Sequence, residues 1–321
     1  MIEDLYQRFL KGDRRALARI VTKIENESRE SIILLDRLYN MVGSALRIGV
    51  TGPPGAGKST LVNQLTKLYR KQDRSVAIIA VDPTSPFTGG ALLGDRIRMN
   101  DIALDSGVFI RSMATRGNLG GLSEHAMEVA DLMDAFGFDV IIMETVGVGQ
   151  SELDIAEAAD ATLVVLVPES GDSIQAMKAG LMEIADIFVI NKSDRLGADR
   201  MLIELQSILE LRNKIGVWQP PIISTVANEN KGITELNAEI DHFISFQKEN
   251  DLLVAKKRKR ISAYIQKLVQ HRLLHKFWVA DRIEKLNHDL DQIINNKRSP
   301  YAASLDLINH FMMNNDGTNS K

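Results

Sequence analysis

The sequence predicts an α/β fold: a mainly parallel sheet covered by helices on both faces, plus helical extensions at both ends. Three observations lead to this fold class. Short apolar runs alternate with helical patterns between residues 46 and 248. Most of these runs are apolar throughout, as strands buried on both faces should be. The flanking segments, 1–45 and 249–321, instead show apolar residues at helical spacing.

Seven runs in the central region are predicted as strands. They are "LRIGV" (46–50), "SVAIIAV" (75–81), "GVFIRSM" (107–113), "DVIIME" (139–144), "ATLVVLV" (161–167), "DIFVIN" (186–191) and "PIIST" (221–225). Helical patterns between them include 58–70, 121–136, 173–184 and 197–212. In an open sheet of this kind, ligands bind beyond the carboxyl ends of the strands.

The two extensions are predicted to be helical. Residues 1–45 should form two or three helices, and Asp13 after Gly12 is a candidate N-cap. In the C-terminal segment, helices are predicted over 279–295 and 300–313. The basic run "KKRKR" (256–260) is interpreted as a solvated helix face rather than a nucleic-acid contact.

Composition excludes several functions. The 321 residues include no cysteine, which excludes disulfides, thiolate metal sites, iron–sulfur clusters and thiol catalysis. A formal net charge of -3 does not favour nucleic acid or an anionic membrane as a partner. The charged N-terminus and the lack of an 18-residue apolar run predict a cytoplasmic protein, although a processed organellar protein would look the same.

The segment "GVTGPPGAGKST" (49–60) is a predicted phosphate-binding loop. Its Gly52, Gly57, Lys58 and Ser59 fit G-x-x-x-x-G-K-[ST] between a strand and a helix. Backbone N–H groups and the helix N-terminus favour phosphate there. Lys58 would neutralise the β- and γ-phosphates, and Ser59 could ligate Mg²⁺. The candidate nucleotide contacts are Gly52, Pro53, Pro54, Gly55, Ala56, Gly57, Lys58, Ser59 and Thr60.

The segment "NKSD" (191–194) follows a predicted strand and indicates which base is bound. The Asp194 carboxylate can accept hydrogen bonds from N1–H and the 2-amino group of guanine, whereas adenine offers neither donor. Asn191 would hold the purine and brace the loop, and the aliphatic stem of Lys192 would cover the ring. The predicted ligands are therefore GTP and GDP rather than ATP.

Carboxylates at other strand ends complete the predicted site. Glu144 ends one strand, Asp82 ends another, and Asp95 follows in "LLGDRIRM". Together with Ser59 they are the candidate Mg²⁺ ligands, because oxygen is the donor that Mg²⁺ prefers. Gly147 could donate its N–H to the γ-phosphate, and the Pro- and Gly-rich loop 83–94 is a candidate switch.

The motifs together resemble the MeaB/ArgK family of G proteins, the chaperones of methylmalonyl-CoA mutase and related cobalamin-dependent acyl-CoA mutases. The similar segments are "GVTGPPGAGKSTL", "VDPTSPFTGGALLGDRIRM", "ETVGVGQSE" and "MEIADIFVINKSD". The resemblance implies a P-loop GTPase domain over 46–248. It also implies a homodimer held partly by 249–321, GTP-gated loading of adenosylcobalamin, and protection of the mutase. Slow intrinsic hydrolysis is expected, because no arginine finger or dedicated glutamine can be assigned from the sequence.

The resemblance also implies roles for single residues. Lys58, Ser59, Asp82, Asp95 and Glu144 match the family's phosphate and magnesium residues, and Asn191, Lys192 and Asp194 match its guanine residues. Segment 168–180 matches a mobile loop whose basic residue is Lys178. Candidates for catalysis are thus Lys58, Asp95, Glu144 and Lys178. The chain departs from the family at Glu169, within "PESGD", and at Thr225, Val226 and Ala227, which we place near the guanine.

Other functions remain open at this point. A nickel or other metallocentre-assembly GTPase would need a metal site, and His271 and His275 lie four apart on a predicted helix, although a surface or packing role is favoured. A transporter-associated kinase would need a phosphoacceptor, for which we find no signature. A binding module with structural GTP is a third alternative. An adenosyltransferase could join the mutase as a partner.

Overall fold

The computed structural model describes residues 2–82, 99, 101–114, 125–145, 151–168, 180–211 and 218–316. Several predicted functional features lie outside these residues: Asp95, Gly147, the loop 83–94, and residues 169–179 of segment 168–180, which include Glu169 and Lys178. The first residues of the helices predicted over 121–136 and 173–184 lie outside them too. Within the described ranges, the predicted strands and helices can be compared with the observed ones.

Three helices open the chain: α1 (Ile2–Leu10), α2 (Arg14–Glu25) and α3 (Arg29–Leu38). Asp13 is the N-cap of α2, as predicted, and its carboxylate accepts the backbone N–H of Arg15 at 2.8 Å. The apolar sides of these helices are buried in the same core as one face of the central sheet. The N-terminal helices are therefore packed as part of the α/β structure.

Within the described residues the central sheet has seven strands, and every strand pair among them is parallel. Their order is β3-β2-β4-β1-β5-β6-β7. All seven predicted runs fall on strands, which are β1 (Leu46–Thr51), β2 (Val76–Asp82), β3 (Val108–Ala114), β4 (Val140–Glu144), β5 (Ala161–Leu166), β6 (Ile187–Asn191) and β7 (Ile222–Thr225). The predicted fold class is confirmed.

Helices cover both faces of this sheet. They are α4 (Lys58–Lys71), α5 (Ala126–Phe136), α6 (Ser151–Ala158), α7 (Ala198–Leu211) and α8 (Ile233–Glu249). Successive strand residues belong to different cores: Ile79 and Ile141 face the core shared with the N-terminal helices, whereas Ile78 and Ile142 face the core under α4 and α8. Burial on both faces explains why these strands are apolar throughout.

The chain divides into two compact units, Met1–Val254 and Ala255–Lys321. The C-terminal helices are α9 (Leu252–Phe277), α10 (Ala280–Ile294) and α11 (Pro300–Asp316). Arg282 lies over the rings of Phe277 and Phe311 and donates to the Phe277 carbonyl, which joins these three helices. Among the described helices of the chain, none combines the length and the apolar character that crossing a membrane requires.

Candidate nucleotide-binding site

The phosphate loop connects β1 to α4 and depends on glycine at two positions. Gly52 has φ 136°, and a Cβ there would lie 2.0 Å from the Val165 carbonyl oxygen. Gly57 is the N-cap of α4 with φ 84°, and a Cβ there would lie 2.4 Å from Asn191 Nδ2. Because a side chain at either position would collide with a neighbouring strand end, the loop fits closely against β5 and β6.

Lys58, the first residue of α4, lies over this loop. Its side chain is buried, and Nζ donates to the carbonyl oxygens of Gly52 at 2.8 Å and Pro53 at 3.1 Å. A buried ammonium requires such partners. These bonds hold the positive charge beside the loop, where the sequence predicts the phosphates.

Ser59 and Glu144 form a buried hydroxyl–carboxylate pair. Ser59 Oγ donates to Glu144 Oε1 at 2.7 Å. The sheet brings them together, because β4 lies beside β1 with Val50 opposite Glu144. On the other side of β4, Ala80 pairs with Glu144, which places the backbone of Asp82 at the same sheet edge. A hydroxyl and a carboxylate are suitable donors for Mg²⁺.

Two threonines lie beside this pair and were not identified from the sequence. The Thr145 hydroxyl donates to the Thr51 hydroxyl oxygen at 2.9 Å, and the Thr145 backbone N–H donates to the Val50 carbonyl at 3.1 Å. Both threonines are buried. The available signal was a hydroxyl residue at the end of each of two strands, but only the sheet order makes those strands neighbours.

Asn191, at the end of β6, connects three segments of the site. Its Nδ2 donates to the Ala56 carbonyl at 2.8 Å. Its Oδ1 accepts from the Thr225 hydroxyl and from the Ala227 backbone N–H, each at 3.1 Å. In this arrangement the amide braces the phosphate loop against the segment after β7.

The remaining residues of "NKSD" lie beside the same loop. Lys192 adopts a left-handed backbone conformation with φ 56°, and its Nζ donates to the Gly55 carbonyl at 2.9 Å. Asp194 is exposed. The backbone N–H of the preceding residue, Ser193, donates to the Thr225 carbonyl at 3.0 Å, so the segment that carries Asp194 lies beside the end of β7. Nearby, a hydrogen bond to the Glu229 carboxylate raises the pKa of Lys231.

The two helical histidines contact each other on α9. Their Nε2 atoms are 3.2 Å apart, a distance at which one neutral imidazole can donate to the other. The rings meet edge to face with centroids 4.4 Å apart. The two imidazoles are therefore in direct contact along one side of α9.

The fold and the loop place the chain among the P-loop nucleotide-binding proteins, and the "NKSD" segment after β6 is typical of those that bind guanine nucleotides. A profile of the methylmalonyl-CoA mutase-associated GTPase MeaB family matches residues 17–282. The chain belongs to this family and is a GTPase, as its resemblance predicted.

Relatives match along most of the chain. GTPase ArgK of Escherichia coli is 37% identical over 303 residues, covering 92% of each protein. The mitochondrial methylmalonic aciduria type A homolog of Mus musculus is 36% identical over 294 residues, covering 86% of this chain and 71% of its own. The crystal structure of a LAO/AO transport system kinase superposes with a TM-score of 0.72 at 31% identity and covers 97% of both chains.

Proposed function

We propose that this GTPase is a chaperone of a cobalamin-dependent acyl-CoA mutase, either methylmalonyl-CoA mutase or a relative. It would gate adenosylcobalamin loading and protect the mutase from inactivation. The observation that carries this proposal is the match of residues 17–282 to a family described as mutase-associated. The similarity to the mouse methylmalonic aciduria type A homolog supports it.

The proposed phosphate chemistry uses the residues at the carboxyl edge of the sheet. Loop N–H groups and Lys58 would hold the β- and γ-phosphates. Ser59 and Glu144 would hold Mg²⁺, with Asp82 and Asp95 contributing from the neighbouring strand and the segment after it. Bound Mg²⁺ would neutralise charge on the phosphate oxygens. The buried pair of Ser59 Oγ and Glu144 Oε1 supports this assignment.

In the proposed base site, one residue braces the loop and a different residue recognises the guanine. The Asn191 amide hydrogen-bonds to Ala56, Thr225 and Ala227, which would fix the phosphate loop relative to the segment after β7. Recognition of guanine would therefore fall mainly to the Asp194 carboxylate, with the Lys192 stem over the ring and Val226 beside it. GTP hydrolysis by the protein alone should be slow, because a P-loop site without a partner protein holds its attacking water poorly.

The mutase is proposed to communicate with the nucleotide through segment 168–180 and its Lys178. A ligand changes a partner only through different contacts in two states, so a segment that is not itself needed to hold the phosphates or the metal is suited to transmit the nucleotide state. Lys178→Ala should spare GTP affinity but reduce mutase-stimulated hydrolysis and cofactor delivery. Lys192→Ala is the contrasting variant, because that lysine contacts Gly55 and should weaken nucleotide binding itself.

The test measures GTP hydrolysis alone, with methylmalonyl-CoA mutase, and with mutase plus adenosyltransferase. Stimulation by the mutase, and GTP-dependent transfer of adenosylcobalamin, are the expected results. Absence of stimulation by every acyl-CoA mutase tried would contradict the chaperone role. Labelled γ-phosphate appearing on a transporter component instead of as inorganic phosphate would favour the kinase alternative, which the LAO/AO neighbour suggests.

A further inference from the structure

Thr51 and Thr145 meet where the phosphate loop begins and β4 ends. The last paired residues of β1 and β4 are Val50 and Glu144, and Thr51 and Thr145 directly follow them in sequence. Their hydroxyl–hydroxyl bond and the bond from Thr145 N–H to Val50 extend the contact between the two strands by one residue. The side chains thus continue the strand pairing into the site.

We propose that Thr51 and Thr145 form a positioning pair that sets the phosphate loop and the metal-binding carboxylate at the separation that hydrolysis requires. This inference rests on the Mg²⁺ site proposed at Ser59 and Glu144. Thr51 directly precedes Gly52, whose carbonyl accepts from Lys58, and Thr145 directly follows Glu144. The hydroxyl bond therefore ties the segment held by the lysine to the segment that carries the carboxylate.

Burial strengthens the effect of this hydrogen bond on the distance between the two strand ends. Thr51 has 0% and Thr145 has 1% of its surface exposed, so water does not compete for either hydroxyl. A buried hydroxyl that loses its partner also loses the compensation for its desolvation. The pair therefore favours one separation between the two strand ends over any other.

The pair should act on the rate rather than on affinity. Loop N–H groups and Lys58 hold the nucleotide already in the ground state, whereas metal placement matters most as charge develops in the transition state. Misplacing a reacting group by about 1 Å can cost up to roughly 100-fold in rate. Loss of the hydroxyl–hydroxyl hydrogen bond should therefore lower kcat and raise the Mg²⁺ concentration needed for half-maximal hydrolysis, while GTP binding stays nearly unchanged.

A double-variant design separates positioning from simple stabilisation. Thr51→Val and Thr145→Val each keep the branched shape but leave the other hydroxyl buried and unpaired, so each should lower stability. Thr51→Val/Thr145→Val removes both hydroxyls and should recover much of that stability. If the pair were only structural, activity would recover together with stability; if it positions the site, the double variant stays slow.

The measurements are single-turnover GTP hydrolysis, its Mg²⁺ dependence, and the Kd values for GTP and GDP. For the double variant we expect hydrolysis about 10-fold slower, a higher half-saturating Mg²⁺ concentration, and Kd values within about twofold of wild type. Thr145→Ser, which keeps the hydroxyl, should restore the rate. Thr162→Val is the matched control, because the Thr162 hydroxyl is buried at the amino end of β5 and has no hydrogen-bond partner among the described residues.

Two outcomes would overturn the positioning pair: wild-type hydrolysis in the double variant, or a rise in Kd that matches the fall in rate. Glu144→Gln is measured in parallel. If Glu144→Gln leaves the Mg²⁺ dependence unchanged, the proposed metal site is wrong. If Glu144→Gln alters that dependence while the threonine variants do not, the metal site stands and the positioning pair fails.

Discussion

Asn191 shows at the scale of one residue how the proposed base site and the proposed phosphate site are joined. Asn191→Ala removes a donor to Ala56 and an acceptor for the Ala227 N–H, both buried. We expect the free energy of unfolding to fall by about 1–3 kcal/mol, together with weaker binding of GDP. Urea unfolding and calorimetry measure the two effects. Ser193→Ala is the control, because Ser193 contacts Thr225 through its backbone N–H; an equal loss there would contradict the bracing role.

Asp194 is the residue on which base choice should depend. Asp194→Asn should move preference from guanine towards xanthine nucleotides, because an amide can donate to the 2-oxo group of xanthine. Titration calorimetry with GTP, XTP and ATP measures this change. Equal affinity of the wild-type protein for ATP and GTP would remove the guanine assignment.

How much of the site the sequence revealed also depends on the residue. Lys58, Ser59 and the loop glycines could be predicted from the sequence because their spacing along the chain is itself the motif, and the structure gathers them on the loop between β1 and α4. The sequence predicted that Asn191 braces the loop, but it did not give the three partners of that amide or the Thr51–Thr145 bond, because these contacts join segments far apart in sequence. Sheet order decides these contacts, and a pattern of apolar runs predicts strands without predicting which strands are neighbours.

The phosphate loop, taken as an element, allows a comparison between two of its glycines. Gly55→Ala places a side chain at φ 76° in open space, so backbone strain of roughly 1–2 kcal/mol is the expected cost. Gly52→Ala adds a collision with the Val165 backbone and should abolish nucleotide binding. Fluorescent-GDP titration of both variants measures this difference. Similar binding by the two would mean that the close fit against β5 is unimportant.

The connection between the N-terminal helices and β1 depends on a buried carboxylate of α5. Asp134 accepts the backbone N–H groups of Gly43, Ser44 and Ala45 and pairs with the buried guanidinium of Arg47 at 3.1 Å. Asp134→Ala leaves these donors without that acceptor, so we expect the free energy of unfolding to fall by about 3 kcal/mol. Urea denaturation measures the change.

The control for this connection is Asp36→Ala, on the exposed side of α3. Its effect should stay within about 0.5 kcal/mol. If both aspartate variants unfolded at the same urea concentration as wild type, the connection would contribute little to stability.

For the whole molecule, we predict a homodimer held through the C-terminal unit. Along α9, Ile261, Ile265, Val269 and Leu273 recur at every fourth residue, and each is between 43% and 53% exposed. An apolar row of this length is typical of an interaction surface. Ile265→Glu/Leu273→Glu should convert the dimer to a monomer, because burying two carboxylates is costly. Light scattering after size-exclusion chromatography measures the mass.

Ile203→Glu is the matched control for the dimer, since Ile203 is 62% exposed on α7 in the first unit. This variant should keep the mass of the wild type. A wild-type protein that is monomeric at every concentration tested would contradict the dimer.

The strand order has a consequence for how the chain is made. β1 occupies the middle of the sheet, yet its neighbours are β4 and β5, and Leu46 pairs with Val140, about 90 residues further on. At roughly 5–20 residues per second of translation, β1 emerges from the ribosome several seconds before either partner strand. During that interval β1, the strand that leads into the predicted phosphate loop, is an apolar segment without its partner strands. Nascent chains should accordingly bind holding chaperones until translation has passed Leu166, the last residue of β5.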